Sequence, residues 1–185
     1  MKTLLFAIAF CLLGSTLLIS GSAFAEKADS TKPINVEAEQ FVYDSAKLVK
    51  TISGNVILTR GTLTMKAEKV ILKEDAARNQ FVTLLAPPGG LATFRQKRDG
   101  GDFWVEGQAE RIEYDSQAEI VKLFSKAKLK RFDGNRPTDE VEGAFISYDS
   151  HTEFFTVNNS TTGAKTDQKD RVKIIIQPPV EAKGK

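Results

Sequence analysis

The side chains of this sequence that could do chemistry are mostly basic, and they fall into two clusters. The clusters are Lys126, Lys128 and Lys130, which share one face of a predicted strand, and Arg95, Lys97 and Arg98, which flank an Asp-Gly-Gly turn. Ammonium and guanidinium groups of this kind can bind anionic groups such as phosphates. The alternative, which we favour, is that both clusters are solvated faces or charges that discourage unwanted pairing at a strand edge.

Residues suited to catalysis or metal binding are few in the sequence. The 185 residues include one histidine and one cysteine, which excludes a disulfide framework and Cys-rich zinc or iron–sulfur sites. His151 follows a Tyr-Asp-Ser turn and is predicted to be solvated. Glu110 and Glu113 have no second convergent set of carboxylates, so glycosidase chemistry has no support. We therefore predict no catalytic residues, no metal site and no cofactor, and we favour a binding or scaffolding protein over an enzyme.

Length and charge narrow the remaining classes. The 26 Lys+Arg nearly balance the 24 Asp+Glu, whereas a nucleic-acid-binding domain usually carries a strongly basic face. We therefore expect no nucleic-acid partner. With 41% hydrophobic residues the chain can bury a core, and its length fits a single domain.

Residues 1–25 have the order of a secretory signal peptide. A lysine supplies the basic start, residues 4–19 are apolar, and Ala23-Phe24-Ala25 forms an A-x-A cleavage site. Cleavage after Ala25 would remove Cys11, the only cysteine, and release an exported chain. The alternative is an uncleaved anchor, because the apolar run approaches the roughly 20 residues that span a bilayer. Small and polar residues at positions 14–16 interrupt the run, so we favour cleavage and a periplasmic product.

A short strand–turn–strand sequence motif repeats through the rest of the chain. In each copy a Val-Glu-small triplet is followed, four or six residues later, by Tyr-Asp-Ser. The copies are Val36-Glu37-Ala38 with Tyr43-Asp44-Ser45, Val105-Glu106-Gly107 with Tyr114-Asp115-Ser116, and Val141-Glu142-Gly143 with Tyr148-Asp149-Ser150. A fainter fourth copy pairs Met65-Lys66-Ala67 with Leu72-Lys73-Glu74. Repetition of this kind indicates a fold built from one recurring supersecondary unit.

Each copy of the motif has the features of half-buried strands joined by a tight turn. Apolar residues two apart, as in Ile112/Tyr114, are typical of a strand with one buried face. Phe41/Tyr43 and Ile146/Tyr148 are the corresponding pairs. Asp and Ser side chains bond nearby backbone amides and so favour turns. The small residue of each triplet predicts a bend or a close approach of backbones, and the glutamates predict outward positions.

The segments between the copies read as further short strands. Gly54 is expected to break one run into 48–52 and 55–60, and the runs 119–124 and 126–132 are also expected to be separate. Residues 67–85 include good helix formers, but their β-rich triplets make strands the favoured interpretation. Many short strands with regular turn signals predict an all-β sandwich or roll.

The repeat and the export signal together resemble the LptA family, periplasmic lipopolysaccharide transport proteins with an OstA-like β-jellyroll domain. The segments that carry the resemblance are residues 33–38, residues 54–63 with Gly-Asn-Val and Gly-Thr-Leu, Lys66-Ala67-Glu68-Lys69-Val70, Ala92-Thr93-Phe94, residues 105–109 and Ile112-Glu113-Tyr114. We expect the jellyroll to span residues 33–177, after a flexible N-terminus at 26–32 and before a disordered tail at 178–185. Related domains occur in other lipopolysaccharide transport components, so a membrane-anchored LptC-like relay is an alternative. A periplasmic β-sandwich that binds carbohydrate or is structural is another.

The resemblance implies a V-shaped antiparallel β-jellyroll that is open at both ends. It also implies a function, in which copies stack head to tail and shield lipopolysaccharide acyl chains between the inner and the outer membrane. The implied partners are lipopolysaccharide through its lipid A moiety, further copies of the chain, and membrane components with related jellyroll domains. By resemblance, the lipid-contacting residues are Ile34, Val36, Phe94, Ile112 and Tyr114, with Ser30 and Ser116 as weaker matches. The alternative is that these are ordinary core residues.

Strand edges indicate how copies would meet. The first and the last predicted strands are expected at opposite ends of the roll, each with one unpaired edge. The interface residues predicted on these strands are Ile34, Val36, Ala38, Val172, Ile174 and Ile176. Joining the two edges would add a strand to the sheet of the next copy, and a contact of this heterologous kind produces an open rod.

Overall fold

The computed structural model describes Asp29, residues 31–160 and residues 171–178. The predicted signal peptide and Ser30 lie outside the described residues, as does most of the predicted N-terminal segment and C-terminal tail. The described strands are β1 (Asn35–Glu37), β2 (Gln40–Asp44), β3 (Val49–Arg60), β4 (Leu63–Glu74), β5 (Gln80–Leu85), β6 (Ala92–Lys97), β7 (Phe103–Ala109), β8 (Arg111–Asp115), β9 (Ile120–Asp133), β10 (Arg136–Asp149), β11 (Phe155–Asn158) and β12 (Lys173–Ile176).

These strands form one antiparallel sheet that folds over into two layers. Layer A has the order β2-β3-β4-β5-β8-β9-β10-β11, and layer B has the order β1-β3-β4-β6-β7-β9-β10-β12. The four long strands β3, β4, β9 and β10 run through both layers, with one half in each. Consequently β1 and β2 lie at one end of the roll, and β11 and β12 lie at the other. The all-β antiparallel fold class is confirmed.

The long strands bend where they pass from one layer to the other. In β3, Gly54 and Asn55 have φ values of +84° and +46°, and the register with β4 shifts between Ser53 and Val56. In β9, Ser125 and Lys126 have positive φ as well. The expected breaks at Gly54 and between 124 and 126 are therefore wrong, because both halves of each strand keep their partners. An extra residue in one strand bends it without ending the pairing.

The predicted Asp turns are confirmed, and they are built alike. The carboxylate of Asp44 accepts hydrogen bonds from the amides of the residues two and three further on, at 3.1 Å each. Asp115 and Asp149 accept the same two bonds in their turns. Each turn then closes through a residue of positive φ, which is Leu48, Glu119 or Glu153. Local hydrogen bonds thus fix the geometry at which each strand reverses.

The core lies between the two layers. Ile112, Ile146 and Tyr148 are fully buried, as their repeat positions predicted. Phe41, the equivalent residue in β2, is 61% exposed because β2 is an end strand. Residues 67–85 form the second half of β4 and β5, so the strand interpretation is confirmed there.

Candidate functional site

The inner faces of the two layers enclose a groove with a volume of about 220 Å³. Its apolar walls come from both layers and are Leu63, Met65 and Phe94 of layer B and Ile112, Tyr114, Val121 and Tyr148 of layer A. Polar and charged residues, including Arg60, Gln96, Asp99, Glu119 and Glu153, complete its lining. An apolar slot with polar groups in its lining suits a ligand that is itself amphipathic.

Three of the sequence-predicted lipid contacts meet in this groove. Phe94 projects from β6 of layer B, and Ile112 and Tyr114 project from β8 of layer A. They are far apart in sequence, and the fold brings them together because β6 and β8 belong to opposite walls. This grouping is what a shared binding surface requires.

Gly107 positions the ring of Phe94. The two residues are directly opposite each other on β7 and β6. A Cβ atom on Gly107 would lie 2.1 Å from Cε1 and 2.7 Å from Cζ of Phe94. The glycine of the second repeat copy therefore makes room for an aromatic side chain, whereas we predicted a bend or a close backbone approach.

The other predicted contacts lie away from the groove. Val36 is opposite Leu58, a core residue, so it faces inward, yet it is 40% exposed because β1 ends layer B. Ile34 precedes β1 and is also exposed. Ser116 ties two strands together, since its Oγ accepts a hydrogen bond of 2.8 Å from the amide of Gln80. The structure thus places Ile34 and Val36 at one end of the roll and Ser116 at the end of β8.

Rows of paired apolar residues cross the full width of both inner faces. In layer A one row is Phe41, Ile52, Val70, Leu84, Ile112, Leu123, Ile146 and Val157. In layer B the row is Val36, Leu58, Met65, Phe94, Gly107, Leu129, Val141 and Ile174. Every position is apolar or glycine. The apolar lining is therefore continuous from the β1–β2 end to the β11–β12 end. Of its end members, Phe41, Val36 and Ile174 are exposed, whereas Val157 is partly buried against the core.

Two arginine side chains of layer B contact residues of layer A at the start of β11. Arg98, after β6 in layer B, forms a bidentate ion pair with Glu153, which precedes β11 in layer A. One prong joins Arg98 Nε to Glu153 Oε1 at 2.9 Å. Arg131 of layer B lies over the ring of Phe155 in layer A, with its guanidinium carbon 5.3 Å from the ring centroid. Sequence reasoning missed the Arg98–Glu153 pair, because its partners are 55 residues apart and no local pattern connects them.

The outer face of layer B carries a network of opposite charges. Lys128 contacts Glu140 at 2.5 Å and Glu142 at 2.7 Å, and Lys130 contacts Glu140 at 3.0 Å. Hydrogen bonds from Lys128 lower the pKa of both carboxyls, and their carboxylates raise the pKa of Lys128. Lys128 and Lys130 are therefore paired with glutamates and are only 22% and 35% exposed. Because β9 has partners on both sides, they do not protect a strand edge, and the interpretation of this cluster as a solvated face or an edge guard is wrong. Lys126 lies at the bend of β9 and contacts Glu110 at 2.8 Å.

The described residues offer neither a metal centre nor a membrane-spanning helix. They contain no group of three or more His, Cys, Asp or Glu side chains placed to hold a metal ion. In the same part of the chain, no helix has the length and apolar character needed to cross a bilayer. His151 is exposed in its turn, and its Nδ1 lies 3.7 Å from a carboxylate oxygen of Glu119.

The fold and the groove together define a β-jellyroll protein with a continuous apolar interior. The family model described as LptA/(LptD N-terminal domain) LPS transport protein matches residues 35–154. The lipopolysaccharide export system protein LptA of Haemophilus influenzae is 32% identical over 175 residues, which cover 94% of each chain. LptA of Escherichia coli is 31% identical over 96% of this chain and 88% of its own.

A solved structure agrees with these sequence relatives. LptH of Pseudomonas aeruginosa, described as the LptA homologous periplasmic component of the lipopolysaccharide transport device, superposes with a TM-score of 0.69. It is 25% identical in sequence, and the match covers 81% of this chain and 99% of LptH. The chain therefore belongs to the LptA/LptD N-terminal domain family of transport proteins. The resemblance found in the sequence is confirmed, as is the expectation of a transport protein and not an enzyme.

Proposed function

We propose that this protein is a periplasmic lipopolysaccharide-binding transport protein that shields the acyl chains of lipid A in its groove. The observation that carries the proposal is the pair of apolar rows, each eight strands wide, that line the inner faces from one end of the roll to the other. The named relatives are lipopolysaccharide export proteins, which supplies the class of ligand.

The energetics of acyl transfer fit such a groove. Burying one CH₂ group gains roughly 0.8 kcal/mol, so a twelve-carbon chain gains on the order of 8 kcal/mol before other costs. Apolar contacts of this kind have little directional preference. An acyl chain held between Phe94 of one wall and Ile112 and Tyr114 of the other can therefore slide along the apolar lining without breaking any specific bond, which is what a transport path needs.

The order of the strands supports head-to-tail assembly. Each layer has eight strands that alternate in direction, so its first and last strands run in opposite directions. A second copy placed end to end by translation alone would therefore continue the antiparallel pairing. β12 would join β1 of the next copy and β11 would join β2, so the apolar rows would continue across the junction. A rod of such copies would connect the inner- and outer-membrane transport components that carry related jellyroll domains.

Photo-cross-linking in cells tests the lipid contact. A photoreactive residue in place of Phe94 or Ile112 is expected to form adducts with lipopolysaccharide. Thr93 and Glu113 are the matched controls, because each is the neighbour of a groove residue on the opposite face of the same strand. The proposal is overturned if the inward positions give no adduct, or if the outward positions give as much.

Two measurements test export and assembly. Mass spectrometry of the protein purified from the periplasm is expected to show an N-terminus at Glu26, whereas an intact leader would favour the anchored LptC-like alternative.

Truncation after Gln168 removes β12, and light scattering is expected to show weaker self-association of the truncated chain. Unchanged association would exclude β12 from the interface.

A further inference from the structure

The free edges of β1 and β12 carry side-chain patterns that match in one register. β1 pairs only with β3 and β12 only with β10 among the described strands, so each presents a second edge. The inward residues on these edges are apolar: Val36 is 40% and Ile174 is 53% exposed. The outward residues include one acid, Glu37, and one base, Lys173.

We propose that copies of this chain dock with Val36 opposite Ile174 and Glu37 opposite Lys173 of the neighbouring copy. The inference rests on the proposed head-to-tail assembly and names its register and its polar contact. In this register Ile34 also lies opposite Ile176, so the inner face of the junction is apolar throughout. The row from Val36 to Ile174 then runs on into the next copy.

The outer face of the junction supplies charge complementarity. Glu142 is contacted by Lys128 at 2.7 Å and by Lys173 at 3.6 Å, so the charges alternate towards the β12 edge. Lys173 is the last charge of that row, and its side chain is 61% exposed. In the row that it would join, Glu37 makes no ion pair with any described residue of its own chain. Glu37 of the next copy would continue the alternation, and opposite charges directly across two strands are favourable.

Other registers are less favourable. A slip of one residue would turn every inward side chain outward. A slip of two residues in one direction places Ile176 opposite Lys32 and Lys173 opposite Asn35. A slip of two in the other direction places Ile175 opposite Glu37 and Lys173 opposite Glu39. The Oε1 atom of Glu39 is already engaged, because it accepts a hydrogen bond of 2.9 Å from Asn55 at the bend of β3.

Paired cysteines measure the register directly. V36C and I174C in one chain lie about 33 Å apart across the seven strand spacings of layer B, so a disulfide between them must join two copies. Directly opposite residues on antiparallel strands have the Cα separation of a disulfide, whereas diagonal neighbours are too far apart. Oxidation of the V36C/I174C variant is expected to give a covalent ladder of oligomers. The pairs I34C/I174C and A38C/I174C, which report the two slipped registers, are expected to give little.

Charge reversal tests the polar contact without cysteines. E37K and K173E are each expected to weaken self-association on the order of tenfold, the change that about 1.4 kcal/mol produces. Because every junction contains one residue of each kind, the double variant E37K/K173E is expected to restore it. K66E is the matched control, since Lys66 lies on the same outer face two strands from β1 and is absent from the junction.

The outcomes separate the register from the assembly itself. A stronger ladder from a slipped cysteine pair, or no recovery in the double variant, overturns the register while the parental oligomer still supports head-to-tail assembly. A parental chain that stays monomeric in light scattering overturns both.

Discussion

Gly107 leaves the space that the Phe94 ring occupies, so a single added methyl group tests how tightly the groove is built. In G107A the new Cβ would lie 2.1 Å from Cε1 and 2.8 Å from Cδ1 of Phe94. Both distances are well inside van der Waals contact. Because Met65 is the paired neighbour of Phe94 on its other side, we expect the ring to turn into the groove.

The expected cost follows from two opposing terms. Forcing an extra carbon into a packed core typically costs about 1–3 kcal/mol. Replacing glycine by alanine within a strand recovers about 0.5–1 kcal/mol of backbone conformational entropy. We therefore expect G107A to lower the free energy of unfolding by about 0.5–2 kcal/mol, and to reduce lipopolysaccharide adducts from a photoreactive residue at Ile112.

A double-mutant cycle with urea unfolding measures the clash itself. F94L removes the ring atoms nearest to the new methyl group, so G107A should cost less in that background than in the parental chain. Q108A, in the next position on the outer face of β7, is the control and should change stability by less than about 0.5 kcal/mol. If G107A stabilises the protein, or costs the same with and without the Phe94 ring, the packing argument is wrong.

Two further predictions concern charged contacts. E153A removes the carboxylate that pairs with Arg98, whose side chain is only 14% exposed. Urea unfolding is expected to show that the free energy of unfolding falls by about 1–3 kcal/mol, and adding R98A to E153A should lower it little further. If the losses of the two single variants add fully in the double variant, the pair does not join the layers. Because their pKa values are lowered in the folded state, Glu140 and Glu142 contribute stability above their ordinary value of 4.5 that is lost as the pH falls through the lowered values. Unfolding between about pH 3 and pH 7 should therefore show a smaller acid loss in K128M than in the parental chain, and equal losses would contradict the proposed cause.

The parts of the fold that depend on local chemistry could be predicted from the sequence. Asp44, Asp115 and Asp149 form the expected turns, because an Asp carboxylate reaches the amides two and three residues ahead whatever the rest of the chain does. The continuity of β3 could not be predicted in this way. A glycine such as Gly54 permits either a break or a bulge, and the choice depends on β4 offering partners to both halves of the strand.

In the groove as well, features set by the local sequence could be predicted, whereas contacts between distant strands could not. The inward direction of Ile112 followed from alternation along β8, but its partner across the groove is set by which strands the fold places opposite each other. Phe94 was identified only through the family resemblance. The Arg98–Glu153 pair left no trace in the sequence, because each residue lies in a turn where a charged side chain is unremarkable. Pairing between distant turns depends on the bends in the long strands, and those depend on the register of the whole sheet.

Most of the exposed large hydrophobic residues of the described chain lie at the two ends of the roll. Of the twelve large hydrophobic residues exposed in the described part of the chain, nine lie in β1, β2, β11 or β12 or next to them. They are Ile34, Val36, Phe41, Val42, Tyr43, Phe154, Val172, Ile174 and Ile176. Proteins that remain monomeric usually protect end strands with charges or proline, and here the inward positions of the end strands are apolar instead. Exposure of this kind favours aggregation unless a partner covers it. The proposed head-to-tail assembly would cover these end strands and would continue the apolar rows of the interior into the next copy.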